Sequence, residues 1–124
     1  MSAAKVLVVD DEASLSETFA RVLKGAGYDC SVANDGPTAL KLLAAEAPQV
    51  AVLDLYLPPP DGLEITRYAR LHHPETRVIL MTAFSSPAVA EAALKAGACE
   101  YLTKPFSNAR LLEAVNKALS GSSS

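Results

Sequence analysis

The chain has 124 residues, half of them apolar and a fifth charged, with a net charge of −3. At ~150 residues per average domain this is a single domain, too short for a two-domain enzyme and too apolar for a disordered chain. The mild acidity argues against a nucleic-acid-binding domain, whose footprint is a basic patch. No apolar run approaches the ~20 residues of a membrane span, and none reads as a signal peptide.

Lys5-Val-Leu-Val-Val-Asp10 is a continuous apolar run ending in acid, as expected of a strand buried on both faces. Ser14-Leu-Ser-Glu17 reads as a capping box. Leu15, Phe19, Val22 and Leu23 then share one helix face, and Gly25 and Gly27 end the helix. Residues 28–33 read as a second strand. Asp35 caps a helix with the stripe Leu40, Leu43, Ala44 and Ala47, and residues 49–55 form a third strand. Pro58-Pro59-Pro60-Asp61-Gly62 is a turn whose prolines offer no amide protons. A helix with Ile65, Tyr68 and Ala69 inward runs to a break at residues 72–74, where His72 and His73 are expected to be solvated. Residues 77–82 are the fourth strand. Ser86-Pro87 starts a helix that Gly97 ends. Residues 99–103 are the fifth strand, and Ser107 caps a last helix carrying Leu111, Leu112, Val115 and Leu119.

Strands alternating with helices across short connections indicate an open α/β domain with a five-stranded parallel sheet. Cys30 and Cys99 fall in apolar segments and are expected to be buried free thiols; they lack zinc-site spacing. Residues 1–119 are expected to form the one domain. Residues 120–124 (Ser-Gly-Ser-Ser-Ser) read as a linker or expression scar, so that any output domain would lie in a continuation or a separate partner.

Ligands of such sheets bind outside the carboxyl ends of the strands. Asp10 and Asp11 follow the first strand, Asp54 ends the third, Thr82 ends the fourth and Lys104 follows the fifth. Three carboxylates brought together repel, and a divalent cation relieves the repulsion. Mg²⁺ takes oxygen ligands, and the backbone carbonyl of Tyr56 offers one more. Metal ligands, a carboxylate nucleophile, a cation and a hydroxyl donor suit phosphoryl transfer onto a carboxylate. Asp35 and Asp61 are read only as caps.

The segments Val8-Val9-Asp10-Asp11-Glu12, Leu53-Asp54-Leu55-Tyr56-Leu57-Pro58, Met81-Thr82-Ala83, Ala93-Leu94-Lys95-Ala96-Gly97-Ala98 and Tyr101-Leu102-Thr103-Lys104-Pro105-Phe106 resemble the receiver domains of bacterial two-component response regulators. The resemblance spans residues 4–119 in order. It implies a flavodoxin-like doubly wound sheet of strand order 2-1-3-4-5. It implies that Asp54 accepts a phosphoryl group from a sensor histidine kinase or phosphotransfer protein, with Mg²⁺ on Asp10, Asp11, Asp54 and the Tyr56 carbonyl. Lys104 would pair with the phosphoryl group, Thr82 would hydrogen-bond to it, and Tyr101 would turn inward as the second switch residue. The Lys104–Pro105 peptide would be cis. Such a protein would be cytoplasmic and would catalyse only its own phosphorylation and dephosphorylation. It would act on an output domain, an effector or a second copy of itself, without direct contact with nucleic acid or membrane.

The fourth helix holds only Val89 and Leu94 as large apolar residues, so low local stability is expected there. The surface of the fourth helix, fifth strand and fifth helix is therefore expected to change on phosphorylation. Tyr56 and Phe84 sit two residues beyond Asp54 and Thr82, where rings would shield an acyl phosphate from water, unless the Tyr56 hydroxyl holds a water there. Three other readings compete with this one. A haloacid-dehalogenase-type phosphatase would need an Asp-x-Asp after the first strand, and that is missing. An FMN binder of the same topology would need a hydroxyl-rich phosphate loop after the first strand. A phosphorylation-independent interaction module would not need the intact acids, Thr82 and Lys104.

Overall fold

Apolar side chains on both faces of a strand leave its amides no partner except a neighbouring strand, so such runs assemble into the middle of a sheet. The computed structural model describes residues 3–120, and the Ser/Gly stretch at 121–124 lies outside the described residues. The elements run β1 (Lys5–Val9), α1 (Ala13–Gly25), β2 (Asp29–Ala33), α2 (Gly36–Glu46), β3 (Val50–Asp54), α3 (Gly62–His72), β4 (Arg77–Thr82), α4 (Pro87–Ala96), β5 (Glu100–Thr103) and α5 (Asn108–Leu119). All five strands are parallel, in the order β2-β1-β3-β4-β5.

The period of two along each strand divides the interior in two. Val6, Val8, Val50, Val52, Ile79 and Met81 face α1 and α5. Leu7, Val9, Ala51, Leu53, Val78 and Leu80 face α2, α3 and α4. The register aligns the strand ends. Val9 pairs with Leu53, Asp54 with Met81, and Thr82 with Thr103. Residues that follow these positions therefore emerge on one edge.

Four helices carry the expected caps. Asp35, Ser86 and Ser107 accept the amide protons of Thr38, Val89 and Arg110. Asp61 and Glu64 form a reciprocal capping box, each bond 2.9 Å. Helix α1 departs from expectation. It begins at Ala13 with Glu12 as N-cap and no side-chain cap bond. The Asp10 carboxylate takes the Glu12 amide at 2.9 Å, so the chain turns into the helix before Ser14 can cap it.

Other expected positions also move. The buried face of α2 is Gly36, Ala39 and Leu43, while Ala44 and Ala47 are exposed. A Cβ on Gly36 would meet the Pro60 carbonyl oxygen at 2.5 Å, so this small face is what lets the helix approach. On α3, Tyr68 points outward and stacks on His72, with ring centroids 4.4 Å apart. Thr66 is buried instead and returns its hydroxyl proton to the Gly62 carbonyl at 2.7 Å. Cys30 is buried, and burial pushes its thiol up to about 11, but Cys99 is exposed just ahead of β5. His72 is exposed, whereas His73 is half-buried with its Nε2 enclosed and unpartnered.

Gly62 opens α3 directly beneath β3. A Cβ there would collide with the Asp54 carbonyl oxygen and lie 2.7 Å from the Leu55 Cα. Both are backbone atoms, so the strain cannot be relieved by a rotamer change. Gly62→Ala is expected to destabilise the fold by about 2 to 3 kcal/mol, measured by urea unfolding.

Candidate functional site

The β1–α1 turn places Asp10 completely out of solvent, and the end of β3 leaves Asp54 8% exposed. Each carboxylate is held in the same way. One oxygen accepts the amide two residues on: Glu12 to Asp10 Oδ1 at 2.9 Å, Tyr56 to Asp54 Oδ1 at 3.1 Å. The other oxygen accepts from Lys104 Nζ, at 2.8 Å for Asp10 and 3.1 Å for Asp54. Lys104 is aimed from the end of β5, where its amide donates to the Thr82 carbonyl at 2.7 Å. The Lys104–Pro105 peptide bond is cis.

The charges do not balance evenly. Burial raises the Asp54 pKa above the ordinary carboxylate range, and the opposing pull of Lys104 and of the Tyr56 amide does not fully offset it. Asp10 adds repulsion in the same direction. For Lys104, burial disfavours the ammonium, yet the Asp10 hydrogen bond and the charge of Asp54 together raise its pKa. A protonated lysine thus holds two carboxylates, one of which is reluctant to ionise.

Asp11 completes a group of three acids. Ligand oxygens of Asp10, Asp11 and Asp54 all lie within 4.8 Å of one another, near enough for one cation to draw them together. Hard oxygen donors at this spacing, on acids with one ammonium between two of them, fit Mg²⁺. Thr82 is fully buried, and its hydroxyl accepts the Phe84 amide at 2.9 Å. Tyr101 is partly buried against the α2–α3–α4 core, with its hydroxyl enclosed and unpartnered. The Tyr56 and Phe84 rings meet edge to face at 5.7 Å, and both remain largely exposed.

Asn34, which no motif singled out, also reaches this edge. Its Nδ2 donates to the Asp10 carbonyl at 2.8 Å and to Ser16 Oγ at 2.9 Å. Asparagine after a strand reads as a turn residue, and only the β1–β2 register shows where its amide goes.

A family model for the response regulator receiver domain matches residues 6–116. The chain belongs to that family. This receiver is 37% identical over 115 residues to response regulator MprA of Mycobacterium leprae, covering 93% of this chain and 50% of that protein. It is likewise 37% identical over 115 residues to the DNA-binding transcriptional regulator NtrC of Escherichia coli, covering 93% of this chain and 24% of that one. The chain thus spans half or less of the length of these curated relatives. A CheY-like receiver domain protein from Methanospirillum hungatei superposes with a TM-score of 0.92 at 28% identity, covering 97% of this chain and 96% of the other. Receiver domains bind Mg²⁺ at an acidic pocket, and Asp10, Asp11 and Asp54 cluster closely enough here to hold a metal ion.

The raised Asp54 pKa has a signed consequence. The folded state binds this proton more tightly than the unfolded chain, so ionised Asp54 subtracts stability above its folded pKa. That loss diminishes as pH falls through the folded pKa toward the unfolded one. In chelator at neutral pH, Asp54→Asn should therefore melt above the parent, and the difference should shrink on acidification.

Proposed function

We propose that this receiver is the phosphoacceptor switch of a two-component system, with Asp54 taking the phosphoryl group from a phosphohistidine on a sensor kinase or phosphotransfer protein. The observation that carries this reading is the Lys104 ammonium lying between Asp10 and Asp54 beside a third acid. An Asp54 carboxylate oxygen attacks phosphorus, the phosphorus–nitrogen bond breaks, and the imidazole leaves with the electron pair. The product is an acyl phosphate on Asp54, and no separate metabolite is turned over. Asp10, Asp11, Asp54 and the Tyr56 carbonyl would hold Mg²⁺, which when bound would supply positive charge for the phosphoryl oxygens. Lys104 exchanges its contact with the bare carboxylate for one with the phosphoryl group.

Thr82 and Tyr101 carry the response. The Thr82 hydroxyl accepts from Phe84 and keeps its own proton to donate. A phosphoryl group offers it acceptor oxygens that the bare acid did not. Movement of Thr82 opens space for the Tyr101 ring, and α4 is the element best able to follow. Its fully buried residues are Ala93 and Ala96, while Leu94 is 61% exposed. So little buried apolar area leaves it weakly held. The α4–β5–α5 face would then be read by an output domain, an effector or a second copy of the chain.

At the rim, the Tyr56 and Phe84 rings, two residues beyond Asp54 and Thr82, meet edge to face, and in our reading the pair shields an acyl phosphate on Asp54 from water. A long-lived acyl phosphate follows from that shielding.

Incubation with Mg²⁺ and acetyl phosphate is expected to add one phosphoryl group by intact mass, and Asp54→Asn to add none. A label that survives in Asp54→Asn overturns the assignment. Combining Tyr56→Asn with Phe84→Glu is expected to shorten the phosphoryl lifetime about tenfold or more, toward the ~10²-fold lower end of what a positioned acid or base supplies. An unchanged decay rate refutes the shielding.

A further inference from the structure

The β1–α1 turn carries two of the three acids, and its backbone has to be held against their mutual repulsion. Part of the holding is local. The Glu12 amide bonds Asp10 Oδ1, and the Asp10 amide bonds the Ala33 carbonyl at 3.2 Å. A further hold on the backbone comes from one side chain in the β2–α2 turn. Asn34 Nδ2 donates to the Asp10 carbonyl on one side of Asp11 and to Ser16 Oγ on the other. It therefore spans the turn from the strand end to the first turn of α1.

The chemistry of the two partners determines what can sit at this position. The Asp10 carbonyl can only accept. Ser16 is fully buried and commits its single hydroxyl proton to the Ala13 carbonyl at 3.0 Å, so it too must accept from Asn34. One atom carrying two protons satisfies both, and a primary amide supplies it. An aspartate here would face oxygen against oxygen, and a serine brings one proton and a shorter reach.

We infer that Asn34 is a positioning residue for Mg²⁺, acting through the Asp10–Asp11 backbone with Ser16 as its anchor. The inference rests on the functional reading above. Groups that orient metal ligands from behind typically account for about 10- to 100-fold in metal affinity. Asn34 reaches the ligand oxygens only through the Asp10 main chain, so the lower end applies.

The test is a calorimetric Mg²⁺ titration of the parent, Asn34→Ala, Ser16→Ala and the double variant, with no charge introduced at either site. Asn34→Ala is expected to weaken Mg²⁺ binding about tenfold. Ser16→Ala should weaken it less, and adding Ser16→Ala to Asn34→Ala should change little further, because the two act through one bond. The deficit of Asn34→Ala in acetyl phosphate labelling should close as Mg²⁺ is raised, which a generally damaged fold would not do. A parent that binds Mg²⁺ and is labelled on Asp54, beside an Asn34→Ala that binds Mg²⁺ equally well, overturns the inference alone. So does a labelling deficit that persists at saturating Mg²⁺. A parent that binds no Mg²⁺ overturns the functional reading and the inference together.

Discussion

Lys104 stands between two carboxylates that have almost no solvent, 2.8 Å from Asp10 and 3.1 Å from Asp54. A cation at that point offsets the repulsion of two acids in a buried cleft. Much of the surrounding structure keeps this cation in place. The β5 strand end delivers the lysine, the Thr82 carbonyl takes its amide, and α1 lies alongside with Phe19 stacked on Phe106 at 5.2 Å. The arrangement is incompletely neutralised, since burial still raises the Asp54 pKa.

The sheet provides the precision. Parallel strands in register bring β1, β3, β4 and β5 to a common edge, so residues up to 94 positions apart meet within hydrogen-bond distance. Close packing beneath that edge depends on missing side chains. Gly36 lets α2 meet Pro60, and Gly62 lets α3 begin directly under Asp54. The carboxylate that receives the phosphoryl group in our reading is thus backed by two backbones in contact, with no compliant side chain between.

Rigidity is not uniform around the site. The α1–α5 side is filled by Phe19, Leu23, Leu111 and Val115. On the other side α4 buries alanines, and Tyr101 carries a hydroxyl that is enclosed without a partner. An unpaired buried polar group costs free energy that a different packing can recover. The fold therefore holds its acids firmly, while α4 is held by little more than buried alanines.

Much of this was legible in the chain itself. Continuous apolar runs ending in acids announced a parallel sheet, because only strands buried on both faces use such runs. The polar residues at their ends announced a site, because the carboxyl edge is where an open sheet leaves room for one. Local caps at Asp35, Asp61, Ser86 and Ser107 were readable because they depend on residues three apart. What failed was whatever a competing contact overrode, whether a few residues away or across the fold. Ser14 matched a cap pattern, but Asp10 had already turned the chain; Tyr68 matched an apolar stripe, but Thr66 took the buried place. Cys99 lay in an apolar segment yet ended at the surface. The amino-acid order by itself determined the sheet, its helices and which acids share an edge, since these follow from periodicity and chain direction. The tertiary structure alone decided that one ammonium serves two acids and that Asn34 reaches the Asp10 carbonyl, because both depend on strand register, which sets distances that local sequence does not encode.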